Sequence, residues 1–292
     1  MQHYNRETFT AWKTLLYSDR AELEKRRRKS RSWNRPAAVT RQGSRSLAVT
    51  SKSMSIPAII LCGGLGTRLR SVVDDRPKAM AVVRGRPFLT YLLDQLTEAG
   101  VSDIILATGY LGDHMSELLG EDYRGVHLHY SREESPLGTG GALRLAARSC
   151  PVAMVLNGDS YCKVDLAAFI EWHFDSGNRN SMIVTHVDDT RQFGSVQVDP
   201  AGRITAFREK SPGVDTTMSG LINAGIYIVS GELIESIPEG RAVSLEREVF
   251  PRWLDGRFRV FPSDGGFIDI GTPVSFAAAG AHVGGNGTVH SD

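Results

Sequence analysis

The chain has 292 residues, enough for one large domain or two small ones, and its 41% hydrophobic and 23% charged content is the balance of a globular protein. A formal net charge of +1 conceals two unlike parts: residues 1–55 carry 13 Lys and Arg against 4 Asp and Glu, and the remainder carries 21 against 29. Three scattered cysteines (Cys62, Cys150 and Cys162) exclude a disulfide framework and a zinc pattern, and no apolar run is long enough to span a bilayer.

In chain order, residues 1–55 hold an amphipathic stretch in which Phe9, Trp12, Leu15, Leu16 and Leu23 could share a helical face. A Ser- and Arg-rich segment follows that reads as disordered linker. The run EKRRRK has the charge to meet nucleic acid or anionic lipid, and the reading favoured here is a solvated basic tail. From Ile56 the pattern changes. PAIILC, DIILATG and VAMVLNGD read as buried strands, and VHLHYS alternates like a strand with one wetter face. FLTYLLDQLTEAG reads as a helix stopped by Gly100, and MSELLG, GTGGALRLAARS and LAAFIEWHFDSG as further helical segments. Strands alternating with helices predict an α/β fold with a doubly wound, mostly parallel, Rossmann-like sheet. After Asn180 the segments SMIVTHV, GSVQVD, RITAFREK and NAGIYIVS predict a strand-rich second half, with a turn at DPAG. SLEREVFPRWL reads as helical, and FRVFP and GFIDIG as late strands. The expected division is a basic extension over 1–55, one domain over 56–285 and a tail over 286–292.

The stretch LCGGLGTRL places Gly63, Gly64 and Gly66 after the first buried strand. Glycines allow a sharp turn that presents N–H groups to an anion, and Arg68 adds a fork of donors that matches phosphate oxygens. A Walker A loop would end in Gly-Lys-Ser/Thr where this one reads Gly-Thr-Arg, and a dinucleotide fingerprint would have glycine where Leu69 stands. Lys78, in RPKAM, follows closely, its backbone restrained by Pro77. Asp159 ends the strand VAMVLNGD, where a carboxylate faces the ligand crevice of an α/β sheet; the plainer alternative is an Asx turn or helix cap.

The segment GGLGTRLRSVVDDRPKAM resembles the signature of the sugar-1-phosphate nucleotidyltransferases, and the resemblance runs to FIDIGTP, covering residues 56–278. Two departures stand out: Cys62 replaces a small alanine, and Ala79 replaces a second proline, which loosens the backbone beside Lys78. The resemblance implies that Gly63, Gly64, Gly66, Thr67, Arg68 and Lys78 hold an NTP. It implies that Asp159 and Asp269 pair on Mg²⁺, a cation that usually takes one or two carboxylates plus phosphates and waters. It also implies that a sugar 1-phosphate attacks the α-phosphate and pyrophosphate leaves.

YSREESPLGTGGA resembles the family's base-binding stretch, and the same comparison places Gly109 near the base. Gly138 and Thr139 lie in a run whose backbone can approach a base or ribose, and Glu133 or Glu134 can face the base edge. Guanine offers two adjacent donors there and a carboxylate two acceptors, which tilts the reading to GTP. The same two glutamates also read as solvated loop charges. On the sugar side the family pattern implicates Gly194, Glu209, Lys210, Asn223 and Glu246. The combined motifs most resemble the D-glycero-α-D-manno-heptose 1-phosphate guanylyltransferases, followed by mannose-1-phosphate guanylyltransferases and muramate-1-phosphate uridylyltransferases. The expected substrates are therefore an NTP, GTP first, and a sugar 1-phosphate, in a cytoplasmic enzyme for which a homodimer is compatible. Any nucleic-acid contact falls to the basic extension. The non-enzymatic alternative is a nucleotide or sugar-phosphate sensor on the same fold.

Overall fold

The apolar run after Pro57 forms strand β1, Ala58–Leu61, and its position explains its composition. It is flanked on both sides by parallel strands, so neither face meets water and no alternation is needed. This computed structural model describes residues 56–64, 69, 76–109, 112–208 and 219–283, all within the unit Ser55–Asp292. The expectations for residues 1–55 and 286–292, and for Gly66, Thr67, Arg68, Glu209 and Lys210, lie outside the described residues.

A short hairpin of β2 (Val82–Val83) and β3 (Arg86–Pro87) follows, turning at Arg84 and Gly85 with φ of 50° and 81°. Helix α1, Leu89–Glu98, buries Leu89, Leu92, Leu93 and Leu96, the spacing of one helical face. Each such leucine contributes roughly 1.5–3 kcal/mol by leaving water. The chain reverses after α1 at Gly100, whose φ of +80° is the left-handed conformation of a helix stop. Strand β4 is Asp103–Thr108, helix α2 Gly112–Leu119, edge strand β5 Asp122–Tyr123 and strand β6 Val126–Arg132. Helix α3, Gly138–Ala147, leads to β7, Val152–Asn157, and β8, Ser160–Cys162. Helix α4, Leu166–Asp175, starts where the Asp165 carboxylate accepts from the Ala168 N–H at 2.8 Å.

The second half begins with β9, Asn180–Val187, β10, Ser195–Val198, and β11, Ile204–Arg208. Strand β12, Gly220–Ser230, is followed by the short helix α5, Gly231–Glu235, then β13, Phe258–Ser263, β14, Phe267–Asp269, and helix α6, Pro273–His282. The main sheet runs β11-β10-β12-β7-β1-β4-β6-β5, with β9 joined to β12 and β13 joined to β9. Its centre, β7-β1-β4-β6, is parallel as predicted. Strand β12 then enters antiparallel to β7 and pairs antiparallel with β10 and β9, and β13 joins β9 in parallel. Its register breaks between Asn223 and Tyr227, where Gly225 has φ of +73°.

Two of the differences from the sequence expectation bear on the site. SLEREVFPRWL forms a π-turn, Leu245–Val249, and a 3₁₀ turn, Phe250–Trp253, because Pro251 has no N–H to continue an α-helical ladder. Strand β8 was not anticipated, and it pairs with β14 in a separate two-stranded ladder. No described helix is long and apolar enough to cross a membrane.

Candidate active site

Strand β7 delivers Asn157, Gly158 and Asp159 at its C-terminal end. Gly158 donates its N–H to the Leu61 carbonyl at 3.0 Å, so the NGD turn lies against the start of the Gly-rich loop. A side chain at Gly158 would meet both that carbonyl and the Cys62 sulfur. Cys62 is buried there, and burial together with the Asp159 charge pushes its thiol well above the ordinary range. It is a packing group.

The ladder of β8 and β14 supplies the long-range convergence. Asp269 sits opposite Ser160, and the Ile270 N–H donates to the Asp159 carbonyl at 2.9 Å. Two carboxylates far apart in sequence thus reach one place. The Lys78 ammonium lies between them, 2.6 Å from Asp159 Oδ2 and 3.7 Å from Asp269 Oδ1. Side-chain exposure is 12% for Lys78, 38% for Asp159 and 26% for Asp269, so the cluster is sheltered yet open to a ligand. Burial alone would raise the Asp159 pKa. The Lys78 charge and hydrogen bonds from Lys78 and Ser160 outweigh it and hold the carboxyl below its usual range.

Sequence reasoning missed two groups that shape this cluster. The Gly271 N–H donates to Asp269 Oδ1, and a side chain at Gly271 would approach both that oxygen and the Lys78 ammonium. Ser160 Oγ reaches Asp159 Oδ1 at 3.3 Å. The only signal for either was adjacency to an aspartate. Whether the cluster suits a divalent metal is a question of its donors. Two carboxylates converge with a cation already seated between them, and among the described residues no group of three His, Cys, Asp or Glu could cage a metal alone. That set fits Mg²⁺ completed by phosphates and water.

Glu133 occupies a slot that explains two glycines. A side chain at Gly63 would come within 2.5 Å of Glu133 Oε1, and one at Gly109 within 2.6 Å of the same oxygen. The Leu137 N–H donates to the other carboxylate oxygen at 3.0 Å. Burial raises the Glu133 pKa, and the Leu137 bond offsets only part of that. Glu134 is exposed, and Gly64 has open space where a side chain would stand.

The run from Gly138 to Gly141 serves chain packing as well as any ligand. Gly138, at φ +68°, lies where a side chain would strike the Val243 carbonyl, and a side chain at Gly141 would strike that of Arg241. Backbone bonds zip the two segments together: Gly140 N–H to Val243 O at 2.8 Å and Val243 N–H to Leu137 O at 2.9 Å. The Thr139 hydroxyl completes the seam, donating to Glu246 at 2.8 Å and accepting from the Leu245 N–H at 2.8 Å. Glu246, expected on the sugar side, is therefore fastened to Thr139, expected on the nucleotide side.

Gly194 and Asn223 meet directly, the Asn223 N–H donating to the Gly194 carbonyl at 3.0 Å. The Asn223 side chain donates to Tyr227 Oη at 2.5 Å and accepts from the Gly225 N–H at 2.8 Å, so it shapes the break in β12. Asn157, beneath Gly225, has a buried carboxamide oxygen without a partner among the described residues. Phe193, beside Gly194, packs edge-on against Phe267 of β14, which ties this loop to the strand bearing Asp269.

Residues 57–284 match the family model described as nucleotidyl transferase. The chain is 37% identical over 236 residues to a mannose-1-phosphate guanylyltransferase of Mycobacterium tuberculosis, covering 77% of this chain and 64% of that protein. It is 36% identical over 225 residues to a D-glycero-alpha-D-manno-heptose 1-phosphate guanylyltransferase of Aneurinibacillus thermoaerophilus, covering 76% of this chain and 96% of that protein. Among solved structures, HddC from Yersinia pseudotuberculosis complexed with GMP-PN is similar at a TM-score of 0.68 and 35% identity, over 77% of this chain and 98% of that one.

Proposed function

Because the chain belongs to the nucleotidyl transferase family, we propose that it transfers a guanylyl group from GTP to a sugar 1-phosphate, heptose 1-phosphate first, releasing pyrophosphate. The observation that carries the chemistry is the Lys78–Asp159–Asp269 cluster at the end of β7. A sugar-phosphate oxygen attacks the α-phosphorus in line. The new P–O bond forms as the bond to the β-phosphate oxygen breaks, and pyrophosphate leaves with the electron pair. The nucleophile is already an anion, so the protein's task is alignment and charge neutralisation rather than proton removal.

In this reading Lys78 offsets negative charge at the α-phosphate, and Gly63, Gly64, Gly66, Thr67 and Arg68 cradle the triphosphate. Asp159 and Asp269 would hold Mg²⁺, which supplies charge neutralisation at the triphosphate when bound. Glu133, set between Gly63 and Gly109, accepts from the two donors of the guanine edge, and its placement supports GTP over a pyrimidine nucleotide. Gly194, Glu209, Asn223 and Glu246 meet the sugar, and Lys210 its phosphate. The similarity to heptose 1-phosphate guanylyltransferases over nearly their whole length supports the heptose choice. Mannose 1-phosphate is the second reading, supported by the Mycobacterium tuberculosis relative, of which this chain spans 64%.

The test is pyrophosphate release by the full chain with Mg²⁺, each NTP in turn, and heptose 1-phosphate or mannose 1-phosphate. GTP with heptose 1-phosphate is expected to be fastest, and chelation of the metal to stop release. No release with any pair overturns the transferase reading, and ligand binding without turnover then favours a sensor. Release with UTP but not GTP overturns the guanine assignment alone.

A further inference from the structure

A second cleft, of about 80 Å³, lies among Arg241, Val243, Glu248, Val249, Arg252 and Trp253. It shares no side chain with the Lys78–Asp159–Asp269 cluster. Its floor is apolar: Val243, Val249 and Trp253 are each nearly buried. Its rim carries the exposed side chains of Arg241, Arg252 and Glu248.

The two rim arginines differ from their neighbours. Nearby, Arg144 pairs with Glu239, Arg179 with Glu232 and Arg257 with Asp255. Arg257 also lies over Trp253, its Cζ 3.9 Å from the ring centre. Among the described residues the guanidinium groups of Arg241 and Arg252 have neither an ion pair nor a hydrogen bond. Glu248 on the same rim is engaged by the chain itself, accepting from the Ser244 N–H at 2.9 Å. The two guanidinium forks offer a receptor for a phosphate group, since each fork matches two phosphate oxygens, and with the Glu248 carboxylate on the same rim these three side chains keep a net charge of +1. The cleft is far below the ~300–1,000 Å³ of sites that enclose a drug-sized ligand, so it suits a phosphate-sized head rather than a nucleotide.

We propose that this cleft binds the phosphate group of a small soluble metabolite, separately from the substrates. One wall has a direct line to the base-side turn. Arg241 and Val243 belong to the segment zipped to Leu137 and Gly140, and the Arg241 carbonyl fills the space beside Gly141. An anion that draws in Arg241 therefore pulls on the Gly138–Gly141 turn. The binding site stands on its own; the coupling to GTP rests on the guanylyl reading.

The experiment uses the full chain and inorganic phosphate, with sodium chloride controls matched in ionic strength. At tenfold its dissociation constant, phosphate is expected to raise the thermal midpoint of wild type by about 3 °C. The same rise is expected in Lys78→Met, which lacks the active-site ammonium, and none in Arg241→Gln/Arg252→Gln. If the double variant folds poorly, Arg252→Gln alone supplies the comparison. An equal rise in the arginine variant, or no rise in wild type, overturns the site. A phosphate-dependent change in the KM for GTP in wild type but not in the arginine variant supports the coupling, and an equal change in both overturns it. A protein inactive with every NTP would remove the guanylyl reading and leave the thermal measurement intact.

Discussion

Lys78 is the residue on which the cluster turns. Its ammonium lies between two carboxylates, and its charge and hydrogen bond hold the Asp159 pKa below the usual range. The stability this pair contributes is present above the ordinary carboxylate pKa and is lost as pH falls through the lowered value. Lys78→Met is expected to reduce kcat by about 10²–10³, the effect of losing one electrostatic stabiliser, in a steady-state pyrophosphate assay. Glu133 titrates in the opposite sense. Burial raises its pKa, so protonation persists to higher pH than for a free glutamate. Only the ionised form accepts both guanine donors, so kcat/KM for GTP is expected to rise with pH through that raised value. Glu133→Gln should lower kcat/KM and flatten the acidic limb; a limb that survives the substitution would assign it to another group.

At the scale of elements, the seam between the first turn of α3, Gly138–Gly141, and the segment from Arg241 into the π-turn joins two stretches about a hundred residues apart. Thr139 is its fastener. Thr139→Val keeps the shape and removes the hydroxyl, taking the partner of the Leu245 N–H and one of the hydrogen bonds to the Glu246 carboxylate, which keeps the Ser244 hydroxyl. The expected cost is about 1–3 kcal/mol by urea denaturation, with KM rising for both substrates because both segments loosen. Helix α4 and strand β9 meet through a different polar contact: His173 Nδ1 and Ser181 Oγ, 2.8 Å apart and buried. Burial pulls the His173 pKa down to about 4 from 6.5. The unfolded chain therefore takes up a proton first on acidification. Stability due to the neutral ring is full above the unfolded value and declines as pH falls from 6.5 toward about 4. His173→Asn, compared with wild type in urea at neutral pH and near pH 5, should show a shallower acid loss.

Across the described residues the sheet is packed on both faces: Ala58 and Ile60 belong to one apolar cluster with Leu92 and Phe169, and Ile59 between them is equally buried. Phe169 of α4 is fully buried and packs against Phe261 of β13, with ring centres 5.4 Å apart. Phe169→Ala is expected to cost about 3–5 kcal/mol in denaturant unfolding. The family match begins at residue 57, after the basic segment. If the substrates bind only within the matched span, deleting residues 1–53 should leave kcat/KM within about twofold, since distant and unconnected sites act independently. A larger loss would assign the basic segment a part in catalysis.

By itself the sequence determined the sheet's centre, because strands buried on both faces must be continuously apolar and the helices between them must show one apolar face. It also determined the family, because GGLGTRL, Lys78 and the two aspartates stand in a specific order. Tertiary structure alone decided how Asp269 reaches Asp159, since the ladder that joins them pairs β14 with a three-residue strand too short to carry a pattern. It also gave the glycines their reasons. Gly63 and Gly109 are open because the Glu133 carboxylate lies between them, and Gly138 and Gly141 because carbonyls from residues about a hundred positions away press on them. A glycine in a sequence states that a side chain is absent; only the fold shows what fills the space.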